Sequence, residues 1–150
     1  MTYEVHTAQI ESQHAAVLTA TVPIPEIGSF LGSAFDEVLA VLARAAVAVD
    51  GKPFARYEMG DGVFHIEAGF PCPPDLDLDG DVRTITLPAG MAAVTTHVGP
   101  YDAVMAAYRA IETWFAATGH RSTGAPWETY LDGQQAEQPR TIITWPCTLA

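Results

Sequence analysis

The chain has 150 residues, eighteen acidic and seven basic, for a net charge of −11. That length suits one hydrophobic core rather than two ordinary domains, and so acidic a chain with no basic run repels a phosphate backbone, which excludes nucleic acid as a direct partner. Two cysteines make no disulfide framework, and the longest apolar stretch, residues 38–49 interrupted by Arg44, falls short of the roughly 20 residues that cross a bilayer.

Strands are predicted over residues 3–10 and 15–22. From 26 to 46, Ile27, Leu31, Ala34, Val38, Val41, Leu42 and Ala45 recur at helical spacing, with Pro25 suited to the first turn and Gly51 beyond the end. Strands at 54–59 and 63–70 follow, joined by Gly60-Asp61-Gly62 as a tight hairpin, because glycine tolerates positive φ. Residues 73–81 imitate the opening of a calcium loop, but Thr86 stands where the bidentate Glu belongs and no helix flanks the segment, so it reads as an acidic solvated linker. Strands at 82–87 and 91–98 lead to a second helix at 101–118. Its stripe of Tyr101, Val104, Met105, Tyr108, Ile111, Trp114 and Phe115 lies between Pro100 and Gly119 and reads as core. Strands at 127–131 and 141–145 close the chain.

This order, two strands, a helix and two strands taken twice, points to an internal repeat. Ala15-Ala16-Val17 matches Ala92-Ala93-Val94, Pro53-Phe54-Ala55-Arg56-Tyr57 matches Pro126-Trp127-Glu128-Thr129-Tyr130, and Phe70-Pro71-Cys72 matches Trp145-Pro146-Cys147, at offsets of 77, 73 and 75 residues. The expected fold class is α+β in a single domain over 1–150. Duplicated strand-helix-strand-strand units, at about 11–72 and 88–147 with a linker at 73–81, would form an antiparallel sheet. Two long helices would lie on one face, with a ligand groove at the pseudo-twofold axis.

Strand parity selects the residues that would line such a groove. Trp127, Thr129 and Leu131 share one face, and Trp127 aligns with Phe54, which suits a helix-covered face. Glu128 and Tyr130 then take the opposite face, matched by Ala55 and Tyr57. On 63–70, Phe64, Ile66, Ala68 and Phe70 should face the helices, with His65 and Glu67 pointing away. Ile142 and Thr144 hold the positions equivalent to Glu67 and Gly69. The non-helix face thus collects Tyr57, Glu67, Glu128 and Tyr130, with Thr144 among the ligand-binding candidates. Aromatic rings round a carboxylate make a receptor for a bulky organic cation. A lone buried carboxylate costs several kcal/mol, so without ligand it would be hydrated, partly protonated or hydrogen-bonded to tyrosine. The pattern alone leaves open a solvated Glu128 on an exposed sheet face.

Gly51-Lys52-Pro53-Phe54-Ala55-Arg56-Tyr57, Phe64-His65-Ile66-Glu67-Ala68-Gly69-Phe70-Pro71, His97-Val98-Gly99-Pro100-Tyr101 and Pro126-Trp127-Glu128-Thr129-Tyr130-Leu131 together resemble the GyrI-like small-molecule-binding domain, also found as the effector-binding domain of AraC-type and MerR-type multidrug regulators. The resemblance covers nearly the whole chain. It implies binding of large, flat, often cationic compounds, with the channel glutamate of the Glu-x-Tyr strand mapping onto Glu128. It also implies an enzyme alternative: some stand-alone relatives look like hydrolases of strained cyclopropane compounds, in which Glu128 would be the general base and Tyr130 would polarise the departing oxygen. The sequence departs from the family at Ile142, where many relatives carry a second acid, and at Arg56-Tyr57-Glu58, where relatives often read Arg-Tyr-His. It shows no DNA-binding helix-turn-helix, so any regulation of transcription is expected to act through a partner.

No cofactor is expected. His6, His14, His65, His97 and His120 lack paired metal-ligand spacing, and Cys72 and Cys147 lack a Cys-x-x-Cys partner. His97 is expected to anchor the start of the second helix, and His65 to be a satisfied sheet histidine. The cysteines are expected to be free thiols in a cytoplasmic protein, because the first residues have neither the basic flank nor the apolar centre of a signal peptide. Exposed apolar strand edges could support a homodimer, and a protein-interaction module is a third functional reading.

Overall fold

The computed structural model describes residues 2–133 and 136–150. In chain order the strands and helices are β1 His6–Ile10, β2 Gln13–Val22, α1 Ile27–Arg44, β3 Phe54–Gly60, β4 Val63–Pro71, β5 Arg83–Leu87, β6 Gly90–Val98, α2 Met105–Thr118, β7 His120–Ser122, β8 Trp127–Tyr130 and β9 Arg140–Leu149. Each helix is preceded by a short 3-10 turn, Ile24–Glu26 and Tyr101–Ala103. The helix α1 begins at Ile27, next to its expected start, whereas α2 begins at Met105 rather than at 101 because the turn takes up the first residues of its stripe. Gly119 closes α2 at φ 73°, as its position predicts. Gly51 does not close α1; Ala46 does, at φ 58°. The hairpin turn has Asp61 at φ 50° and Gly62 at φ 79°, the double positive φ that matches strand twist.

The chain divides into two units, Ser12–Pro88 and Met1–Glu11 with Ala89–Ala150. Both are α+β, and each carries its own helix-covered apolar cluster where the chain length suggested one core. In the first unit the antiparallel order is β3-β4-β2-β5. Val38, Val41 and Leu42 of α1 pack on Ala16, Phe70 and Cys72. In the second the order is β8-β9-β6-β1, with β7 added on β9. Here Val104, Ala107, Ile111 and Phe115 pack on Ala93, Ile143 and Cys147. The strand-helix-strand-strand pattern is therefore present twice with matching strand orders. The N-terminal strand β1 completes the sheet of the C-terminal half. β7 was not expected, since His120-Arg121-Ser122 carries no apolar alternation. No helix among the described residues is long and apolar enough to cross a membrane.

Candidate functional site

Glu128 pairs with Ile143 across β8 and β9, and Ile143 belongs to the cluster built by α2. Directly paired residues of antiparallel strands point to the same face, so Glu128 and Tyr130 face α2. This corrects the expectation that they lie on the side away from the helices. Trp127 takes that other side, paired with Thr144, and both are buried at 7% exposure. Because the neighbours Trp127 and Glu128 are buried on opposite faces of this strand, ring size could not reveal which face the helix covers.

Glu128 is 3% exposed, and among the described residues it is the one acid in the buried class. Its carboxylate is held by three tyrosines. Tyr108, on the inner side of α2, donates to Oε2 at 2.5 Å. Tyr130, two residues along β8, donates to Oε1 at 2.9 Å. The Tyr101 hydroxyl lies 3.2 Å from that of Tyr130 and also acts on the carboxylate. Burial pushes the Glu128 carboxyl above the ordinary range, and the tyrosine hydroxyls and His97 pull in the other direction. Tyr108 is pushed up as well, by burial first and then by the charge and hydrogen bond of Glu128. Such a carboxyl holds a proton to higher pH than a solvated glutamate does.

The segment before α2 sets Tyr101 in place. Gly99 adopts φ 123°, which a side chain would resist. The Pro100 carbonyl then receives the Ala103 N–H at 3.1 Å and His97 Nε2 at 2.9 Å. His97 is 2% exposed, and its anchoring of the helix start agrees with expectation.

The repeat isolates what is particular to this site. Tyr108 stands edge-on to Trp145 with ring centroids 5.9 Å apart and planes at 68°. Its counterpart Phe35 stands the same way to Phe70, at 5.9 Å and 71°. Phe35 lacks the hydroxyl, and the counterpart of Glu128 is Ala55. The acid and its α2 donor are thus present together in one repeat and absent together from the other.

The remaining sequence candidates lie elsewhere. Tyr57 pairs with Ile66 and stands edge-on to Phe64. It therefore points to the same side as Ile66, which was expected to face the helix, rather than away. Glu67 occupies the opposite face, where it is bound to Arg56 at 2.6 Å; Tyr57 and Glu67 do not share a face. Thr144 is separated from Glu128 by the thickness of the sheet. His65 is exposed and meets Thr21 Oγ1 at 2.7 Å, a satisfied sheet histidine. Cys72 and Cys147 are buried free thiols. Tyr108 and Tyr101 were absorbed into an apolar stripe; the available signal was their replacement by Phe35 and Ile24 in the first repeat.

No curated protein sequence matches the chain. A family model, the GyrI-like small molecule binding domain, matches residues 3–146. The chain belongs to this family. Among solved structures, the GyrI-like chain superposes on the C-terminal domain of EcmrR with a TM-score of 0.87 at 20% identity, covering 100% of both chains. It superposes on SAV2435 bound to tetraphenylphosphonium with a TM-score of 0.66 at 16% identity, covering 97% of this chain and 94% of that one. A hydrolase from Listeria innocua gives 0.65 at 12% identity, covering 97% and 92%. At these identities the likeness is one of fold.

Proposed function

We propose that this GyrI-like domain binds or senses bulky aromatic, often cationic, small molecules in the cytoplasm, with Glu128 as the charge that receives them. The observation that carries this reading is a carboxylate at 3% exposure whose hydrogen-bond donors are all tyrosine hydroxyls. Removing a carboxylate from water is costly, and without a ligand the three hydroxyls offset part of that cost. A large cation with delocalised charge surrenders little hydration, so it can replace those donors while its rings lie on Tyr101, Tyr108 and Tyr130. A small hydrated cation gains less. Tetraphenylphosphonium, bound by the fold relative SAV2435, belongs to this class of compound.

The test is a thermal-shift panel of cationic dyes and tetraphenylphosphonium on the wild-type and Glu128→Gln proteins. Wild type should be stabilised by at least one compound and Glu128→Gln by none; an unchanged melting profile throughout would remove the basis for a receptor.

The raised carboxyl supports a second reading, hydrolysis of a strained cyclopropane-bearing or otherwise activated compound. Glu128 would take a proton from water as the water oxygen bonds to a ring carbon and the strained C–C bond breaks, and Tyr130 would polarise the substrate oxygen that receives the electron pair. Consumption of such a compound well beyond one equivalent per protein would establish it.

A further inference from the structure

We infer that His97 is the positioning residue of the Glu128 site and that Tyr3, on the segment ahead of β1, fixes the orientation of His97. The binding part of this inference rests on the function proposed above. The positional part does not.

The pairing of β1 with β6, extended toward the N-terminus from His6↔Val94, sets Tyr3 opposite His97. The Tyr3 hydroxyl meets His97 Nδ1 at 2.8 Å, and the rings stack at 6.0 Å with planes 24° apart. The other ring nitrogen, Nε2, lies 2.9 Å from the Pro100 carbonyl. A carbonyl only accepts, so Nε2 carries hydrogen and, in the neutral ring, Nδ1 accepts from Tyr3. Tyr3 thereby selects the tautomer that can hold Pro100. Pro100 opens the turn that carries Tyr101, whose hydroxyl reaches Tyr130 and the Glu128 carboxylate. The Thr95 hydroxyl donates to the Glu4 carbonyl at 2.8 Å, which pins the same N-terminal segment.

The first repeat shows that this chain of contacts is not needed to fold the turn. There Ala20 replaces His97, Gly80 replaces Tyr3 and Ile24 replaces Tyr101. The corresponding turn still forms after Pro23, closed by the Glu26 N–H on the Pro23 carbonyl at 3.0 Å. Ile24, with nothing to reach, is 65% exposed. Tyr3, His97 and Tyr101 therefore occur together in the repeat that carries the acid. Their common effect is to aim a hydroxyl at it. The titratable groups that face Glu128 are Tyr108 from α2, Tyr101 from the preceding turn, Tyr130 from β8 and His97 from β6.

The experiment compares His97→Leu, His97→Gln and Tyr3→Phe with wild type. It uses two readouts: the pH titration of the Glu128 carboxyl carbon by NMR in the unliganded protein, and affinity for tetraphenylphosphonium. His97→Leu should raise the Glu128 midpoint by about one pH unit, a tenfold change in proton affinity, and weaken binding about tenfold. Tyr3→Phe, which keeps the ring and threatens the fold least, should move both in the same direction by less. His97→Gln, whose amide can still donate to the Pro100 carbonyl, should recover at least half of the lost affinity. An unmoved Glu128 midpoint in both His97→Leu and Tyr3→Phe would overturn the inference. So would a His97→Gln protein as impaired as His97→Leu, since the imidazole would then act by charge alone. If tetraphenylphosphonium fails to bind even wild type, the proposed ligand class fails, and the carboxyl titration still decides the role of His97.

Discussion

Tyr108 and Glu128 meet between α2 and β8 at 2.5 Å, where the other repeat places the apolar pair Phe35 and Ala55. The paired change implies that hydroxyl and carboxylate stabilise each other. Tyr108→Phe should retain the edge-on contact with Trp145 and lose the hydrogen bond, costing about 1–2 kcal/mol. For a chain of this length that is a fall in melting temperature of roughly 2–8 °C. The Glu128 carboxyl should also rise further, as followed by carboxyl NMR. A Tyr108→Phe protein with wild-type melting temperature and wild-type Glu128 titration would show that the contact carries no energy.

The raised Glu128 carboxyl fixes a pH dependence of stability. Between the ordinary carboxyl value of 4.5 and its higher folded value, the folded state holds a proton that the unfolded state has released. Unfolding is then favoured by rising pH, and stability from this group is full below 4.5 and lost as pH climbs through the folded value. Glu128→Gln abolishes this loss. Its melting temperature should exceed that of wild type at pH 8 by several degrees and approach it at pH 4, a gain in stability set against the binding role proposed for Glu128. Scanning calorimetry at the two pH values checks this; a Glu128→Gln protein less stable than wild type at pH 8 would contradict it.

Glu67 lies on the face opposite Tyr57 and is held by Arg56, an arrangement that argues for a structural role. It is paired with Arg56, and the two side chains are 27% and 23% exposed, so screening by water keeps the pair to about 1 kcal/mol or less. Glu67→Gln should lower the melting temperature by no more than a few degrees. It should leave cation affinity unchanged in the same dye titration that Glu128→Gln abolishes.

Gly69 is held by a close approach rather than by a turn. A Cβ there would lie 1.8 Å from the Ala16 carbonyl oxygen, and β2 cannot retreat while Ala16 packs against α1. Gly69→Ala should therefore cost about 3 kcal/mol or more, visible as a large fall in the urea midpoint. A midpoint near wild type would mean that β2 and β4 are more loosely packed than described.

Both helices, the Gly60-Asp61-Gly62 hairpin and the duplicated order of strands were legible because each rests on a local signal: helical spacing, positive φ or recurring tripeptides. The facing of the strands was not. Trp127 and Glu128 are neighbours buried on opposite sides, and alternation reports two faces without saying which one a helix covers. Tyr57 was misplaced for the same reason; Thr144 does lie on the face away from the helix, and the misassigned facing of Glu128 is what parts the two. Tyr108 was hidden within an apolar stripe whose ring does pack in the core while its hydroxyl does not. The contact between Tyr3 and His97 spans 94 residues and depends on β1 crossing to the C-terminal sheet, which no local pattern encodes. Glu128 itself was found by its place beside Tyr130 and by resemblance to its family.

A cation that docks on a carboxyl of raised pKa lowers that pKa and expels protons. Titration calorimetry of tetraphenylphosphonium binding at pH 6, repeated in buffers of different ionisation enthalpy, counts them. Net proton release by wild type, with both release and affinity lost in Glu128→Gln, is the expected result. Equal affinity in the two proteins with no proton released would mean that Glu128 does not receive the ligand.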